Sequence, residues 1–174
     1  MSERRLLFSR ERINERIDEL AREIDAHYSR LEEPLVLVCV LKGAFMFFAD
    51  LVRRLRTQTE LEFVRLASYG ESTSRGEAVC FTKDVETDIL GRHVCIVEDI
   101  VDTGHTAQYL LDVFRGRNPA SLTICTFIHK LGRREIEVPV DFRGFSLEHG
   151  FVVGYGLDCA EQYRNLEAIY ELVE

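Results

Sequence analysis

The first periodic segment of the chain is a helical pattern over residues 9–30. Apolar residues recur there at spacings of three and four, while the opposite face is rich in Arg and Glu. Ser9 stands where a helix N-cap is expected. The segment therefore predicts an amphipathic helix with one buried stripe, made of Ile13, Ile17, Leu20, Ile24 and Tyr28.

Between residues 35 and 128, short apolar runs alternate with helical patterns. This alternation indicates an α/β fold, with a core of parallel sheet flanked by helices. The predicted strands are 35–41, 60–68, 78–82, 93–99 and 121–128, and the predicted helices are 44–56 and 106–116. The helix over 44–56 should turn Phe45, Phe48, Leu51 and Leu55 inward.

Residues 60–82 are expected to form a long hairpin, with a polar, mobile loop at about 69–77. From residue 138 onward, short apolar pieces alternate with turns, and strands are expected at 151–153 and 168–170. The irregular chain ends should form a small cap, or hood, above the C-terminal edge of the sheet. The length of 174 residues predicts a single domain over 1–174.

Composition narrows the class of protein. Hydrophobic residues make up 46% and charged residues 30% of the chain, which is typical of a packed globular domain. The net charge of -8 argues against nucleic-acid partners. Because the apolar runs are too short to span a membrane and no secretion signal is visible, we expect a cytoplasmic protein without a membrane partner. The five cysteines lack CxxC spacing, which favours reduced thiols over a zinc site.

Candidate chemistry is densest at residues 94–106. An apolar strand ends in Glu98 and Asp99, a third acid follows at Asp102, and a Thr-Gly-His-Thr turn then opens a helical pattern. Open α/β sheets bind ligands at the C-terminal ends of their strands. Such a turn can direct backbone N–H groups at a phosphate, with a helix N-terminus behind them. Strand ends of this kind also occur in α/β proteins that have no such site.

The same segment resembles the signature of the type I phosphoribosyltransferases, which bind phosphoribosyl pyrophosphate (PRPP). The resemblance implies that Glu98 and Asp99 face the ribose hydroxyls, directly or through Mg²⁺. It implies further that the 5′-phosphate is surrounded by Asp102, Thr103, Gly104, His105 and Thr106. Asp102 would also accept the proton from purine N7 as a general base. His105 stands where relatives often carry Lys or an apolar residue, so phosphate affinity could depend on pH near neutrality.

Three further segments are similar to the 6-oxopurine branch of this family. Leu41-Lys42-Gly43 resembles its pyrophosphate-binding loop, although a plain strand-to-helix turn would look the same. Ser68-Tyr69-Gly70 resembles the start of a loop that closes over the site and excludes water; an exposed hairpin tip would also look the same.

The third segment lies between residues 129 and 166. By resemblance, Lys130 donates to the 6-oxo group of the purine, Phe151 stacks on the base, and Val152 meets the base edge through its backbone. Asp158 is a candidate ligand for a second Mg²⁺, and Arg164 is expected to pair with pyrophosphate.

The chain departs from the family pattern after Lys130. Relatives often have Pro shortly after this lysine, whereas Leu131 and Gly132 follow here. Arg133 and Arg134 could anchor the freer loop instead. The approach to Phe151, Glu148-His149-Gly150, also lacks the more usual Pro. The preference among hypoxanthine, guanine and xanthine therefore stays open.

The resemblance implies a Mg²⁺-dependent enzyme of purine salvage. It would transfer the phosphoribosyl group from PRPP to hypoxanthine or guanine, giving a nucleoside 5′-monophosphate and pyrophosphate. Family members are commonly dimers or tetramers, so a homo-oligomer is expected. One alternative is an RNA-binding regulatory protein that reuses the fold, although the acidic charge weighs against it. A phosphosugar-binding domain without turnover is a weaker alternative.

Overall fold

The structure, a computed structural model, describes residues 3–69 and 78–173. Its helices are α1 (Arg10–His27), α2 (Phe45–Val52) and α3 (His105–Arg115). Its strands are β1 (Glu3–Phe8), β2 (Leu35–Leu41), β3 (Thr59–Tyr69), β4 (Ala78–Lys83), β5 (His93–Val101), β6 (Ser121–Lys130), β7 (Phe142–Leu147), β8 (Phe151–Val153) and β9 (Ile169–Val173).

A six-stranded sheet forms the centre of the molecule, with the strand order β4-β3-β2-β5-β6-β7. All its neighbouring strands run parallel except β3 and β4, which form the antiparallel hairpin that the sequence predicts. Along the chain, β2 connects outward to β3 on one side, and β5 connects outward to β6 on the other. The topological switch point therefore lies between β2 and β5, where open α/β sheets form a ligand crevice at the C-terminal strand ends.

Apolar residues cover both faces of this sheet. Helices α1 and α2 pack on one face, where Leu37 of β2 and Cys95 of β5 are fully buried. Helix α3 packs on the other face, against Val38 and Ile96. Buried residues alternate between the two faces because successive side chains of a strand point in opposite directions. The predicted α/β core is confirmed, and so is the buried stripe of α1.

The chain ends form the expected cap. Strands β1, β9 and β8 make a second, antiparallel sheet in that order. Phe8 of this cap sheet stacks on Phe145 of β7, with ring centroids 3.9 Å apart. The sequence reading missed β1 and β7, since β1 is largely exposed and carries no apolar periodicity.

Three details of the predicted elements are wrong. Helix α1 ends at His27, three residues early, and α2 ends at Val52. Phe45 is 39% exposed because it is the first residue of α2 and lies away from the core. Leu55 follows the end of α2 but still packs against the core. Residues 70–77 of the predicted mobile loop lie outside the described residues, so that prediction stays untested.

Two further predictions concern membrane-spanning helices and the state of the cysteines. Among the described residues, no helix combines the length and apolar character needed to cross a membrane. All five cysteines are free thiols, and Cys39, Cys95 and Cys125 are buried in the core as predicted.

Candidate active site

The crevice at the switch point brings Gly43 against Asp99. A Cβ atom added to Gly43 would lie 1.5 Å from Asp99 Oδ2, so no other residue fits without moving the carboxylate. The adjoining peptide bond between Leu41 and Lys42 is cis. Gly156 packs from above, where an added Cβ would lie 2.2 Å from the carbonyl oxygen of Gly43. Two glycines thus allow three segments to meet beside the carboxyl group of Asp99.

Glu98 and Asp99 form a buried carboxyl pair at the end of β5. Glu98 is only 5% exposed. Burial raises the pKa of Glu98 well above its ordinary value, and the neighbouring Asp99 adds to the effect. Burial also raises the pKa of Asp99 to about 6, although the backbone N–H of Ile100 donates to Asp99 Oδ1 at 2.7 Å and opposes the shift. The site therefore concentrates negative charge that a cation would relieve.

A cavity of about 290 Å³ opens onto this pair. Its walls come from the ends of β2, β3 and β5 and from the start of α3. The lining residues are Val40, Leu41, Leu66, Ala67, Glu98, Asp99, Ile100 and Thr106. Carboxylate oxygens are the ligands that Mg²⁺ prefers. The donor set of Glu98 and Asp99 thus fits Mg²⁺, although no group of three or more potential ligands gathers in residues 3–69 and 78–173.

The turn after β5 is held open at the N-terminus of α3. Gly104 adopts a left-handed conformation, with φ of 96°, and an added Cβ would lie 2.2 Å from the carbonyl oxygen of Ile136. The backbone N–H groups of Glu135 and Ile136 both donate to the carbonyl oxygen of Thr103 at 3.0 Å. No side chain caps α3. Its first N–H groups, at His105 and Thr106, therefore lack an intrahelical partner and suit an anion.

His105 has a partner at the outer edge of this turn. Its Nε2 lies 2.8 Å from Glu135 Oε2, and both side chains are exposed. The imidazole is therefore engaged beside the turn by a carboxylate. This contact could not be read from the sequence, because Glu135 is 30 residues away.

Asp102 lies between two cations at the ends of β5 and β6. Lys130 Nζ is 3.4 Å from Asp102 Oδ2, and Arg133 Nη1 is 3.7 Å from the same oxygen. Lys130 is only 5% exposed, and a buried ammonium needs a counter-charge, which Asp102 supplies. Asp102 Oδ1 is buried and has no hydrogen-bond partner among the described residues. One oxygen of Asp102 is thus fixed, and the other can accept a proton.

Arg134 supports both of these strand ends. Its Nη2 donates to the carbonyl oxygens of Lys130, at 2.8 Å, and Val101, at 3.2 Å. This guanidinium joins the backbone next to Asp102 to the backbone of Lys130. The prediction that an arginine anchors this loop is confirmed for Arg134, whereas Arg133 contacts the carboxylate instead.

Phe151 and Val152 begin β8 beside the same sheet edge. The loop after Lys130 bonds to the end of β7, since Leu131 N–H donates to the carbonyl oxygen of Leu147 at 2.9 Å. From there the chain turns at Gly150, whose φ of 100° requires glycine, and enters Phe151. The Phe151 side chain is 53% exposed, whereas Val152 is buried. The exposed aromatic ring of Phe151 offers a stacking surface.

The predicted pyrophosphate-binding residues meet in one ion-pair cluster. Lys42 Nζ lies 2.9 Å from Glu161 Oε2. Arg164 Nη2 lies 2.8 Å from Asp158 Oδ1 and 3.3 Å from Glu161 Oε1. The second oxygen of Asp158 accepts from the backbone N–H of Glu161 at 2.8 Å. Both oxygens of Asp158 are therefore occupied, and the sequence reading missed Glu161 although it lies between Asp158 and Arg164.

Ser68 and Tyr69 are the last two residues of β3. Their backbones pair with Val79 and Ala78 of β4. Their side chains fall outside the described structure, so their contacts stay a prediction. Direct contacts join other candidates in pairs: Gly43 lies against Asp99, Lys130 against Asp102, and Arg164 against Asp158.

Comparison with known proteins shows the family to which the chain belongs. A family model for the phosphoribosyl transferase domain matches residues 7–160. The hypoxanthine phosphoribosyltransferase of Haemophilus influenzae is 46% identical over 169 residues, covering 97% of this chain and 94% of the relative. That of Escherichia coli strain K12 is 44% identical over 161 residues, covering 92% and 90%.

A solved structure agrees with these relatives. The crystal structure of a hypoxanthine-guanine phosphoribosyltransferase from Bacillus anthracis superposes with a TM-score of 0.91 at 38% identity. The superposition covers 99% of this chain and 100% of that one. All three relatives are named as transferases, and nothing in them supports the RNA-binding alternative. The chain therefore belongs to the phosphoribosyltransferase family, within its hypoxanthine–guanine branch.

Proposed function

We propose that this protein transfers the 5-phosphoribosyl group from PRPP to hypoxanthine or guanine, in purine salvage. The observation that carries the proposal is the meeting of a buried carboxyl pair, an open helix N-terminus and an Asp–Lys pair at one switch point. These three groups match the three parts of the reaction: a phosphorylated ribose, its 5′-phosphate and a 6-oxopurine. Family membership over 97% of the chain supports the same reaction.

PRPP binding is assigned to the turn and to the carboxyl pair. The backbone from Asp102 to Thr106, including Thr103, Gly104 and His105, would hold the 5′-phosphate at the N-terminus of α3. Glu98 and Asp99 would hold the ribose hydroxyls, directly or through Mg²⁺. The ion would offset the charge of the pyrophosphate as it leaves. Binding of a cation requires both carboxyls to lose their protons, which their raised pKa values oppose.

Base recognition is assigned to Lys130, Phe151 and Val152. Lys130 has no acceptor function, so it can donate to a 6-oxo group but cannot accept from the amino group of adenine. The exposed ring of Phe151 would stack on the purine. Arg134 would keep Lys130 in place through its backbone, in a loop that lacks the usual Pro.

The chemical step uses Asp102 as general base. A purine nitrogen attacks the anomeric carbon, the bond from that carbon to pyrophosphate breaks, and the proton on purine N7 passes to Asp102. The free and buried Oδ1 supports this role, because Lys130 contacts the other oxygen. A positioned general base contributes about 10²–10⁴-fold to a rate.

Pyrophosphate is assigned to Lys42, Gly43 and Arg164. Asp158 could serve a second Mg²⁺ only after exchanging its contact with Arg164. The loop at 69–77, opened by Ser68 and Tyr69, would close over the site and keep water from the reacting carbon.

The proposal includes the oligomeric state of the protein and its cellular compartment. We infer a homodimer or homotetramer in the cytoplasm, with residues 1–174 as one domain. The family match over residues 7–160 supports the single domain. Five free thiols, three of them buried, suit a reducing compartment.

The direct test is identification of the products. The protein is incubated with PRPP, Mg²⁺ and hypoxanthine, and the mixture is separated by chromatography. We expect inosine 5′-monophosphate to form together with an equal amount of pyrophosphate, and formation should stop when a chelator removes the metal. Absence of nucleotide from the folded protein, with PRPP intact, would contradict the proposal.

A further inference from the structure

Glu161 links the two cations that the proposed function assigns to pyrophosphate. Its Oε2 lies 2.9 Å from Lys42 Nζ, and its Oε1 lies 3.3 Å from Arg164 Nη2. The two cations come from segments more than a hundred residues apart in sequence. A single carboxylate therefore bridges the pair from between its members, as two oxygens of a bound anion would.

The backbone around Glu161 directs the carboxylate to this place. Glu161 N–H donates to Asp158 Oδ2 at 2.8 Å, and Cys159 and Gln162 exchange backbone hydrogen bonds at 3.2 and 3.0 Å. Glu161 itself has a φ of 64°, in the left-handed region that few residues other than glycine adopt. Because the turn is held at both ends, the backbone of Glu161 places its carboxylate beside the two cations.

Electrostatics keeps this carboxylate charged. A glutamate carboxyl is ionised at neutral pH, and each oxygen of Glu161 faces one of the two cations. Glu161, together with Asp158 on Arg164, therefore opposes the charge of the two cations. A pyrophosphate that approaches them must displace Glu161 or share the cations with it.

We propose that Glu161 acts as an internal competitor for the pyrophosphate subsite, lowering the affinity of that subsite for pyrophosphate and for the pyrophosphate group of PRPP. The inference rests on the proposed function, since it takes from it the role of Lys42 and Arg164. It adds a residue that sets how tightly the leaving group is held. A weaker hold favours release of the product after the reaction.

The expected change in pyrophosphate affinity follows from the exposure of the Lys42–Glu161 pair. The side chains of Lys42 and Glu161 are 48% and 64% exposed, so solvent screens their attraction. Exposed pairs of this kind contribute little individually. Replacing Glu161 by Gln, which keeps its size and backbone, should lower the Kd for pyrophosphate by about two- to tenfold.

The experiment measures pyrophosphate binding by titration calorimetry in Mg²⁺ buffer, for the wild type and for Glu161→Gln. The matched control is Glu86→Gln, which removes the same charge from an exposed Lys–Glu pair of the same length, Lys83 Nζ to Glu86 Oε1 at 2.9 Å. A thermal melt of each variant checks folding. The KM for PRPP and kcat are measured separately, with pyrophosphate inhibition as a further readout.

The inference predicts tighter pyrophosphate binding and a lower KM for PRPP in Glu161→Gln, with Glu86→Gln matching the wild type. The gain should shrink as salt is raised from about 0.05 to 0.5 M, because salt screens the competing ion pairs. Unchanged or weaker pyrophosphate binding in a folded Glu161→Gln would overturn the inference, and so would an equal gain in Glu86→Gln. A wild type that binds no pyrophosphate would instead contradict the proposed function, and the inference would fail with it.

Discussion

Gly43→Ala tests whether the switch-point crevice is built around Asp99. The added Cβ would lie 1.5 Å from Asp99 Oδ2 and 2.5 Å from its Cγ, far inside contact distance. Gly156 packs closely against the carbonyl oxygen of Gly43, which leaves the backbone of Gly43 little room to shift, so the carboxylate of Asp99 is the group that must move. The substitution therefore displaces one member of the carboxyl pair while leaving its chemistry intact.

Two magnitudes follow from this geometry. Overpacking of a filled site costs about 1–3 kcal/mol, which for a chain of this size lowers Tm by roughly 2–12 °C. The catalytic cost should be larger, because a displacement of about 1 Å at a site of this kind can cost about 10²-fold in rate. We therefore expect a folded protein with kcat/KM reduced about a hundredfold.

The assay is kcat/KM for PRPP at saturating hypoxanthine and Mg²⁺, together with a denaturant titration. Gly116→Ala is the matched control: its φ of -59° suits alanine, and its added Cβ would meet only ordinary contacts at 3.4 and 3.6 Å. The control should keep wild-type activity and change the free energy of unfolding by less than about 1 kcal/mol. A Gly43→Ala protein with wild-type kcat/KM would refute the reasoning.

Three further predictions address the other groups of the site. Asp102→Asn should lower kcat by about 10²–10⁴-fold while the Kd for PRPP changes little, since a base is lost but the phosphate cradle is backbone; unchanged turnover would remove Asp102 from the mechanism. Phe151→Ala should raise the KM for the purine by roughly 5- to 150-fold through lost stacking, yet leave the free energy of unfolding nearly unchanged because the ring is half exposed; Leu90→Ala, also exposed, is the control. Glu98→Gln should become more stable than the wild type as the pH rises. The native state holds protons on Glu98 and Asp99 to a higher pH than the unfolded chain does. In Mg²⁺-free buffer, wild-type stability therefore falls as the pH rises above about 4, through the pKa of about 6 of Asp99 and through the raised pKa of Glu98. If the free energies of unfolding of the two proteins changed with pH in the same way, the assigned burial of the Glu98 carboxyl would be contradicted.

Much of the fold could be predicted from periodicity. The core strands and the three helices produce long apolar stripes or runs, and their types and approximate bounds were read correctly. Strand β1 could not be found in this way, because its first three residues are the charged Glu3, Arg4 and Arg5. Its pairing partner, β9, is at the other end of the chain. Helix ends were misplaced because they are decided locally, as after Tyr28, where Leu31 N–H donates to the carbonyl oxygen of Tyr28 at 3.1 Å in a tighter turn than that of an α-helix.

The candidate site was predictable where its residues are contiguous. The run from Glu98 to Thr106 contains the end of a strand, the acidic residues and the start of a helix in one segment. Contacts between distant segments were not predictable. Gly43 makes room for the carboxylate of Asp99, which is distant in sequence. Glu161 was overlooked because its role depends on Lys42, 119 residues away. Such pairings depend on the three-dimensional fold rather than on spacing along the chain.

The central claim is that this site transfers a phosphoribosyl group to 6-oxopurines. The most direct measurement is pyrophosphate release from PRPP and Mg²⁺ with hypoxanthine, guanine, xanthine, adenine and uracil in parallel. The account predicts release with hypoxanthine or guanine and none with adenine or uracil, because buried Lys130 can only donate to the base. Release with adenine at a comparable rate would contradict the assignment of Lys130, and no release with any base would contradict the account as a whole.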